Sequence, residues 1–465
     1  MNRYMSIFVR SLMALASLGL MLAAEPVRAT GTFAWDARKD QVSADLKSED
    51  LLNVLGKVSA ATGWHIYVEP DVLHPVSAKF KDLSPGDAMH LLFGGASFAL
   101  IPSTNAAPQL YVFRTSRQNA TRLVRAVSPD GKAKVIANEL IVRLKPGAKI
   151  DDLARLLGAK VIGRIGSFNA YRLQFDGADA ADGARAQLAS NSDVLSVDSN
   201  YSIDRPPDAS QVLPMAAPQP QVQLDPPPDG CQSIVGIVDT GAPNLGPLAQ
   251  FVTKQVSVVG DAPTDPSAPP HGYSMVTTLA NSSAAAGKGH TSVRAVLADV
   301  YGPNPTTSTF DVAQGIAAVI NDGAKIVNLS LGSDADSSFL HTVIQDGASK
   351  DIVFIGAAGN TPVTTPFYPA AYPEVDAVTA MDQGQLAAYA NRGSFVTLGA
   401  PGNSVVNYDG QSWSVTGTSA SAAFTSGIAA AYLAANPCAA PSSIQSFLKS
   451  NLGVNISSAA AAAAQ

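Results

Sequence analysis

Ser233-Ile234-Val235-Gly236-Ile237-Val238-Asp239-Thr240-Gly241 is an apolar, β-rich run that ends on a carboxylate and a glycine. It reads as a buried strand with Asp239 emerging at its C-terminal end, where α/β sheets place their sites. Downstream, strand and helix signals alternate to about Leu452, which predicts a parallel α/β domain over 231–455. Two more buried strands end in small residues: Ile326-Val327-Asn328-Leu329-Ser330-Leu331-Gly332 and Ile352-Val353-Phe354-Ile355-Gly356-Ala357-Ala358-Gly359-Asn360. Small side chains there leave backbone free to pair with an extended peptide, and Asn360 offers an amide donor or a turn cap.

Upstream lie two smaller units. Over 138–203, strands at Glu139–Leu144, Ala170–Phe175 and Val194–Tyr201 alternate with helices near Ile150–Leu157 and Ala178–Ser190, an α+β domain. Over 30–120 the expected order is helix, strand, strand, helix, strand. Leu51, Leu52, Leu55 and Val58 recur at helical spacing, and His65–Val68, Val76–Phe80 and Leu110–Phe113 read as strands. Residues 204–230, rich in Pro, Gln, Ala and Asp, read as an extended linker and a natural place for processing to cut. Residues 456–465 are a low-complexity Ala-rich tail. At the front, Arg3 and Arg10 flank an apolar run from Leu12 to Ala24, followed by Val27-Arg28-Ala29. This is the layout of a signal peptide over 1–29, shorter than the ~20 apolar residues of a membrane span.

The chain has 465 residues, 46% of them hydrophobic and 15% charged, and a net charge of −6. It can bury large cores, and no basic block points to nucleic acid. Two cysteines, Cys231 and Cys438, could tie the ends of the C-terminal domain in an oxidising compartment. Separate buried thiols are the alternative. No partners at ligand spacing make a metal site, and no Asp/Glu loop places calcium.

Serine-based hydrolysis needs a hydroxyl, an imidazole, an orienting carboxylate and donors for an oxyanion. His271 opens an apolar helix in Pro270-His271-Gly272-Tyr273. His290, ahead of a strand, and His341, in a surface helix, are the rivals. Ser419, in Gly417-Thr418-Ser419-Ala420-Ser421, stands where a buried helix begins, so free N–H groups favour negative charge there; an N-cap serine would stand there too. Ser421 and Ser426 fall inside that helix. Asp-Thr-Gly also occurs in aspartic proteases, but those need two such loops and this chain has one.

Asp239, His271, Asn360 and Ser419 follow one another in the chain order of subtilisins, an order that differs between unrelated triad folds. The C-terminal half resembles subtilisin-like serine proteases in Asp239-Thr240-Gly241, Ser330-Leu331-Gly332, Ala357-Ala358-Gly359-Asn360, Tyr389–Ser394, Ala400-Pro401-Gly402 and Gly417-Thr418-Ser419. The resemblance implies a subtilisin-like parallel-sheet catalytic domain preceded by two small α+β domains. It implies a secreted or periplasmic endopeptidase acting on polypeptides, with Asp239, His271 and Ser419 catalytic and Asn360 an oxyanion donor. Ser330, Leu331, Gly332, Ala357, Ala358 and Gly359 would bind substrate.

Residues 138–203 resemble a subtilisin-type inhibitory propeptide, which makes the chain's own prodomain a partner. Residues 30–120 resemble the short N-terminal domain of secretins and TonB-dependent receptors, implying docking to an envelope protein. Tyr273 stands where the family usually has Thr, and Ala420 and Ala423 where it prefers Met and Pro. The rival reading is an inactive protease fold that binds partners at the cell envelope.

Overall fold

The structure, a computed structural model, describes residues 32–455 apart from short stretches, the longest being 125–133, 214–221 and 227–232. The expected signal peptide, Cys231 and the Ala-rich tail lie outside the described residues. Among the described residues no helix is long and apolar enough to cross a membrane.

The C-terminal domain is built on a mostly parallel sheet. Its strands run Val252–Ser257, Arg294–Asp299, Ile234–Asp239, Ile326–Leu329, Val353–Ala357, Val375–Asp382, with Leu398–Pro401 parallel to the last. The central strands are buried on both faces, as their unbroken apolar runs require. One face is covered by His271–Ala286 and Thr418–Ala435, the other by Thr309–Asn321 and Ser338–Ser349. Helix Thr418–Ala435 buries alanines almost throughout, so it can lie close to its neighbours. A Cβ on Gly427 would sit 2.0 Å from Ser282 Oγ, so only glycine allows the two helices to meet there. Ala420 and Ala423 are fully buried in this same unbroken helix.

The middle unit is a five-stranded antiparallel sheet of Val135–Leu144, Lys160–Ile165, Ala170–Gln174 and Val194–Asp204, completed by Thr306–Ser308 of the C-terminal domain. Helices Ile150–Leu157 and Ala178–Ala189 cover its outer face. Strand Lys160–Ile165 was not expected from sequence, because Gly163 breaks its pattern. The ring of Phe310 lies 2.6 Å from where a Gly163 Cβ would stand, so the glycine serves the packing between domains.

That interface is polar at its centre. Asn200 Oδ1 accepts from Phe310 N and Thr309 Oγ1 at 3.1 and 3.0 Å, satisfying the free end of helix Thr309–Asn321 from another domain. Arg172 forks onto Glu139 at 2.7 and 2.9 Å and reaches Asp311 Oδ2 at 2.9 Å. Burial pushes the Asp311 carboxyl above its ordinary range, with the Arg172 charge pulling it back. Arg172→Ala would strand two buried carboxylates, and the full-length chain should lose about 3–5 kcal/mol in urea unfolding. An unchanged urea midpoint would contradict this account.

The first unit has more strands than expected. Thr32–Asp36 and Gln41–Asp50 pair with each other, and Gln41–Asp50 pairs with Pro75–Leu83. Ser97–Ile101, Gln109–Phe113, His65–Val68 and Arg122–Val124 form a second sheet around helices Leu51–Thr62 and Pro85–Phe93. Gln41–Asp50 is polar overall, yet Val42, Ala44 and Leu46 are buried in alternation. The linker departs from expectation too. Gln211–Val212 pairs with Gln411–Thr416, and Gln223–Leu224 with His290–Thr291.

Candidate active site

Asp239 is the last residue of strand Ile234–Asp239 and is fully buried. Its Oδ1 accepts from Thr240 N and from His271 Nδ1, both at 2.7 Å. A carboxylate can only accept, so the ring donates its Nδ1 proton to Asp239. His271 opens helix His271–Ala286, whose start is pinned by Gly272 N donating to Thr240 Oγ1 at 2.7 Å. A Cβ on Gly272 would stand 1.9 Å from the Thr240 carbonyl oxygen, so glycine beside the histidine is what lets helix and strand end meet. The neighbouring Asp299 accepts from Tyr301 N and Gly302 N, and burial pushes its carboxyl upward.

Ser419 is the second residue of helix Thr418–Ala435. Gly417, at φ +149°, holds the N-cap place, so Ser419 does not cap the helix. Its hydroxyl donates to the Ser330 carbonyl at 3.1 Å rather than to the imidazole. Carboxylate and ring are therefore joined, while the hydroxyl is turned to a competing acceptor. His271, Asn360 and Ser419 nonetheless line one cavity. Catalytic hydrogen bonds are often loose without substrate.

Asn360 Oδ1 accepts from Thr418 N and Oγ1 at 2.9 and 3.0 Å, which fixes the amide beside the serine helix. Ser330, Leu331, Gly332, Ala357 and Gly359 line a second cavity that shares Asn360 and Ser419. Ala358 does not line it. It is fully buried, its carbonyl taken by Asn391 Nδ2 at 2.7 Å.

Asn391 was quoted from sequence only as part of a familiar run, with no role. Its Oδ1 also accepts from Thr361 N at 2.9 Å, so one side chain clamps the turn on both sides of Asn360. Thr418 was missed as well: its Oγ1 accepts from Gly359 N at 3.1 Å. Only their proximity to the turn reveals either.

The rivals stand elsewhere. His290 is half-exposed and pairs with Asp225 at 3.2 Å. His341 bonds Glu374 at 2.9 Å and stacks on Tyr372. Ser421 is buried against the Ala400 and Pro401 carbonyls, and Ser426 bonds Asn328. Tyr273 turns away from the site. Its hydroxyl donates to the Asn407 carbonyl at 2.7 Å and its ring meets Tyr408 edge-on. Among the described residues no group of three or more His, Cys, Asp or Glu could hold a metal ion.

The linker crosses this site. Arg205 N donates to the Pro305 carbonyl and its guanidinium to the Gly302 carbonyl, both at 2.9 Å. Pro206 and Pro207 border the cavity at Ser419. Asp208 Oδ1 accepts from His271 N at 2.9 Å, and burial pushes its carboxyl upward.

Residues 230–462 match the model of the subtilase family, and residues 122–200 that of the fervidolysin N-terminal prodomain. A thermostable alkaline protease of Halalkalibacterium halodurans is 40% identical over 130 residues, 27% of this chain and 36% of that protein. Subtilisin Savinase of Lederbergia lenta is 32% identical over 153 residues, 32% of this chain and 57% of that protein. The matches thus span less than two thirds of these relatives.

Among solved structures, a mutant of the epidermin leader peptide processing serine protease of Staphylococcus aureus shares the fold. Its TM-score is 0.52 at 14% identity, covering 68% of this chain and 93% of that one. These comparisons do not support the secretin and TonB resemblance of residues 30–120. With its family region over half its length and a fervidolysin-like prodomain ahead of it, the chain belongs to the subtilase family of serine proteases.

Proposed function

We propose that this protein is a secreted or periplasmic serine endopeptidase, made as a precursor, that hydrolyses polypeptides through Asp239, His271 and Ser419. His271 Nε2 takes the Ser419 proton as the oxygen attacks the scissile carbonyl carbon. The carbonyl π electrons move to oxygen, where the Asn360 amide and the Ser419 backbone N–H stabilise the charge. The imidazolium then protonates the leaving amine, and water repeats the sequence on the acyl-enzyme. Asp239 keeps the ring in the tautomer this requires. The observation that carries the reading is the 2.7 Å bond between His271 and Asp239 on a cavity shared with Ser419 and Asn360. On this reading the Ser419 hydroxyl must turn about Cα–Cβ from the Ser330 carbonyl to the ring before it reacts.

The test is labelling by a fluorophosphonate, which reacts only with a primed serine. The processed enzyme should label at Ser419, and His271→Ala should stop it. Absence of labelling would favour a binding protein on an inactive protease fold. That rival drew on Tyr273, whose hydroxyl is engaged at Asn407.

Asn391 has a positioning role in this reading. Asn391→Ala should lower kcat by about 10² and leave KM nearly unchanged, because the Asn360 turn loses its clamp. A rise in KM alone would assign Asn391 to substrate binding instead. A Cys231–Cys438 disulfide belongs to the same proposal, supported by the lack of a free thiol among the described residues. Thiol alkylation of the denatured, unreduced protein should add no mass.

A further inference from the structure

Residues 32–121 lie ahead of both regions matched above, yet they reach the catalytic cleft. Strands His65–Val68 and Gln109–Phe113 pair in parallel with Tyr67 opposite Tyr111. Their rings stack, with centroids 5.1 Å apart and planes inclined by 21°. Alternation along a strand sends Ile66, Val68, Leu110 and Val112 to the face packed by this domain's own helices. The tyrosines point the other way and form a separate apolar cluster with Ala120.

In an isolated domain that second face would meet water. Here Tyr67 is 1% exposed and Tyr111 3% exposed. The cavity beside them is bounded by Gln118 and Ala120 on one side and by His271, Asn360, Thr416 and Ser419 on the other. Pro207, Asp208 and Ala209 of the linker border the same cavity. Burial pushes the Tyr67 hydroxyl well above its ordinary range, and the Asp208 charge adds to it.

Two features suit this face to that segment. Pro206 and Pro207 have no N–H, so the segment cannot complete a backbone ladder along the cleft as a substrate strand would. Prolines instead dock on grooves lined by aromatic rings, where flat apolar surfaces meet at little entropic cost. Past Ala209, Gln211–Val212 pairs with Gln411–Thr416, so the bound segment runs from the Ser419 side out past His271.

We propose that residues 32–124 form an intramolecular latch, whose tyrosine face docks on the linker at Pro207–Ala209 and roofs the catalytic cleft beside His271. The role of the cleft rests on the protease reading above; the docking does not. The middle domain holds the chain on one side of Ser419, through Arg205 and the strand before it. The first domain closes the other side. Peptide entry requires the latch to leave, which cleavage in the linker allows.

Two measurements on full-length chains test this. In the Ser419→Ala background, which stays uncut, Tyr67→Ala with Tyr111→Ala should speed amide exchange of residues 411–416 at least tenfold. With Ser419 present, the same pair should raise fluorophosphonate labelling of the precursor band about tenfold, while the processed enzyme labels as wild type does. Gln118→Glu serves as a second variant outside the domain core, placing a carboxylate toward Asp208. It should raise both readouts severalfold even if the tyrosine variant misfolds. Unchanged exchange in both variants overturns the docking. Faster exchange with unchanged precursor labelling overturns the gating. Faster exchange in a chain whose processed form never labels upholds the docking and sinks the protease reading.

Discussion

Ser419→Ala is expected to leave the precursor uncut and to lower peptide hydrolysis by about 10⁶, the scale on which a subtilisin loses turnover when its triad serine is removed. That factor corresponds to about 8 kcal/mol of transition-state stabilisation. The substitution removes one oxygen and little else. The hydroxyl's one bond goes to the Ser330 carbonyl, and Gly417 rather than Ser419 occupies the N-cap. Stability should therefore stay within about 0.5 kcal/mol, which separates a chemical loss from a folding defect. The readouts are mass analysis of the chain after expression, peptide turnover and thermal unfolding. Normal processing with undiminished turnover would remove Ser419 from the mechanism.

The second large effect concerns Asn360. Asn360→Ala should cost about 10²–10³ in kcat with KM little changed, since the amide serves the oxyanion and not the bound peptide. Its side chain also accepts from Thr418 N and Oγ1, so the alanine variant loses structure at the serine helix as well. Asn360→Asp resolves the two effects. The carboxylate keeps both acceptor contacts and should hold stability, but it has no N–H and places negative charge at the oxyanion. Its kcat should fall at least as far as that of the alanine variant. Should Asn360→Asp retain most of its turnover, the amide is not an oxyanion donor and the turn has only a structural task.

Much of the site was legible because its parts lie at strand and helix ends, which leave local marks. Asp239 follows an apolar run, His271-Gly272 opens a helix, and Gly417 precedes one. The positioning residues left no such mark. Asn391 lies 31 residues after Asn360 in the chain, and only the fold brings its amide to the Asn360 turn. Strand Lys160–Ile165 was hidden for a related reason. Gly163 weakens its local pattern and answers to Phe310, a residue of another domain. Tyr273 departs from the family pattern two residues after His271, and two residues along a helix turn a side chain by about 200°. Its hydroxyl accordingly finds Asn407.

By itself the sequence determined the α/β class, the order of the units and the residue types able to carry the chemistry. All of these follow from periodicity, turn residues and chain order. Tertiary structure alone decided that Asp239 and His271 meet, that the Ser419 hydroxyl faces Ser330, and that Tyr67, Tyr111 and Pro207–Ala209 border the cavity of His271 and Ser419. Those contacts join segments tens to hundreds of residues apart. Their partners are chosen by how buried surfaces pack, and no local propensity encodes that choice.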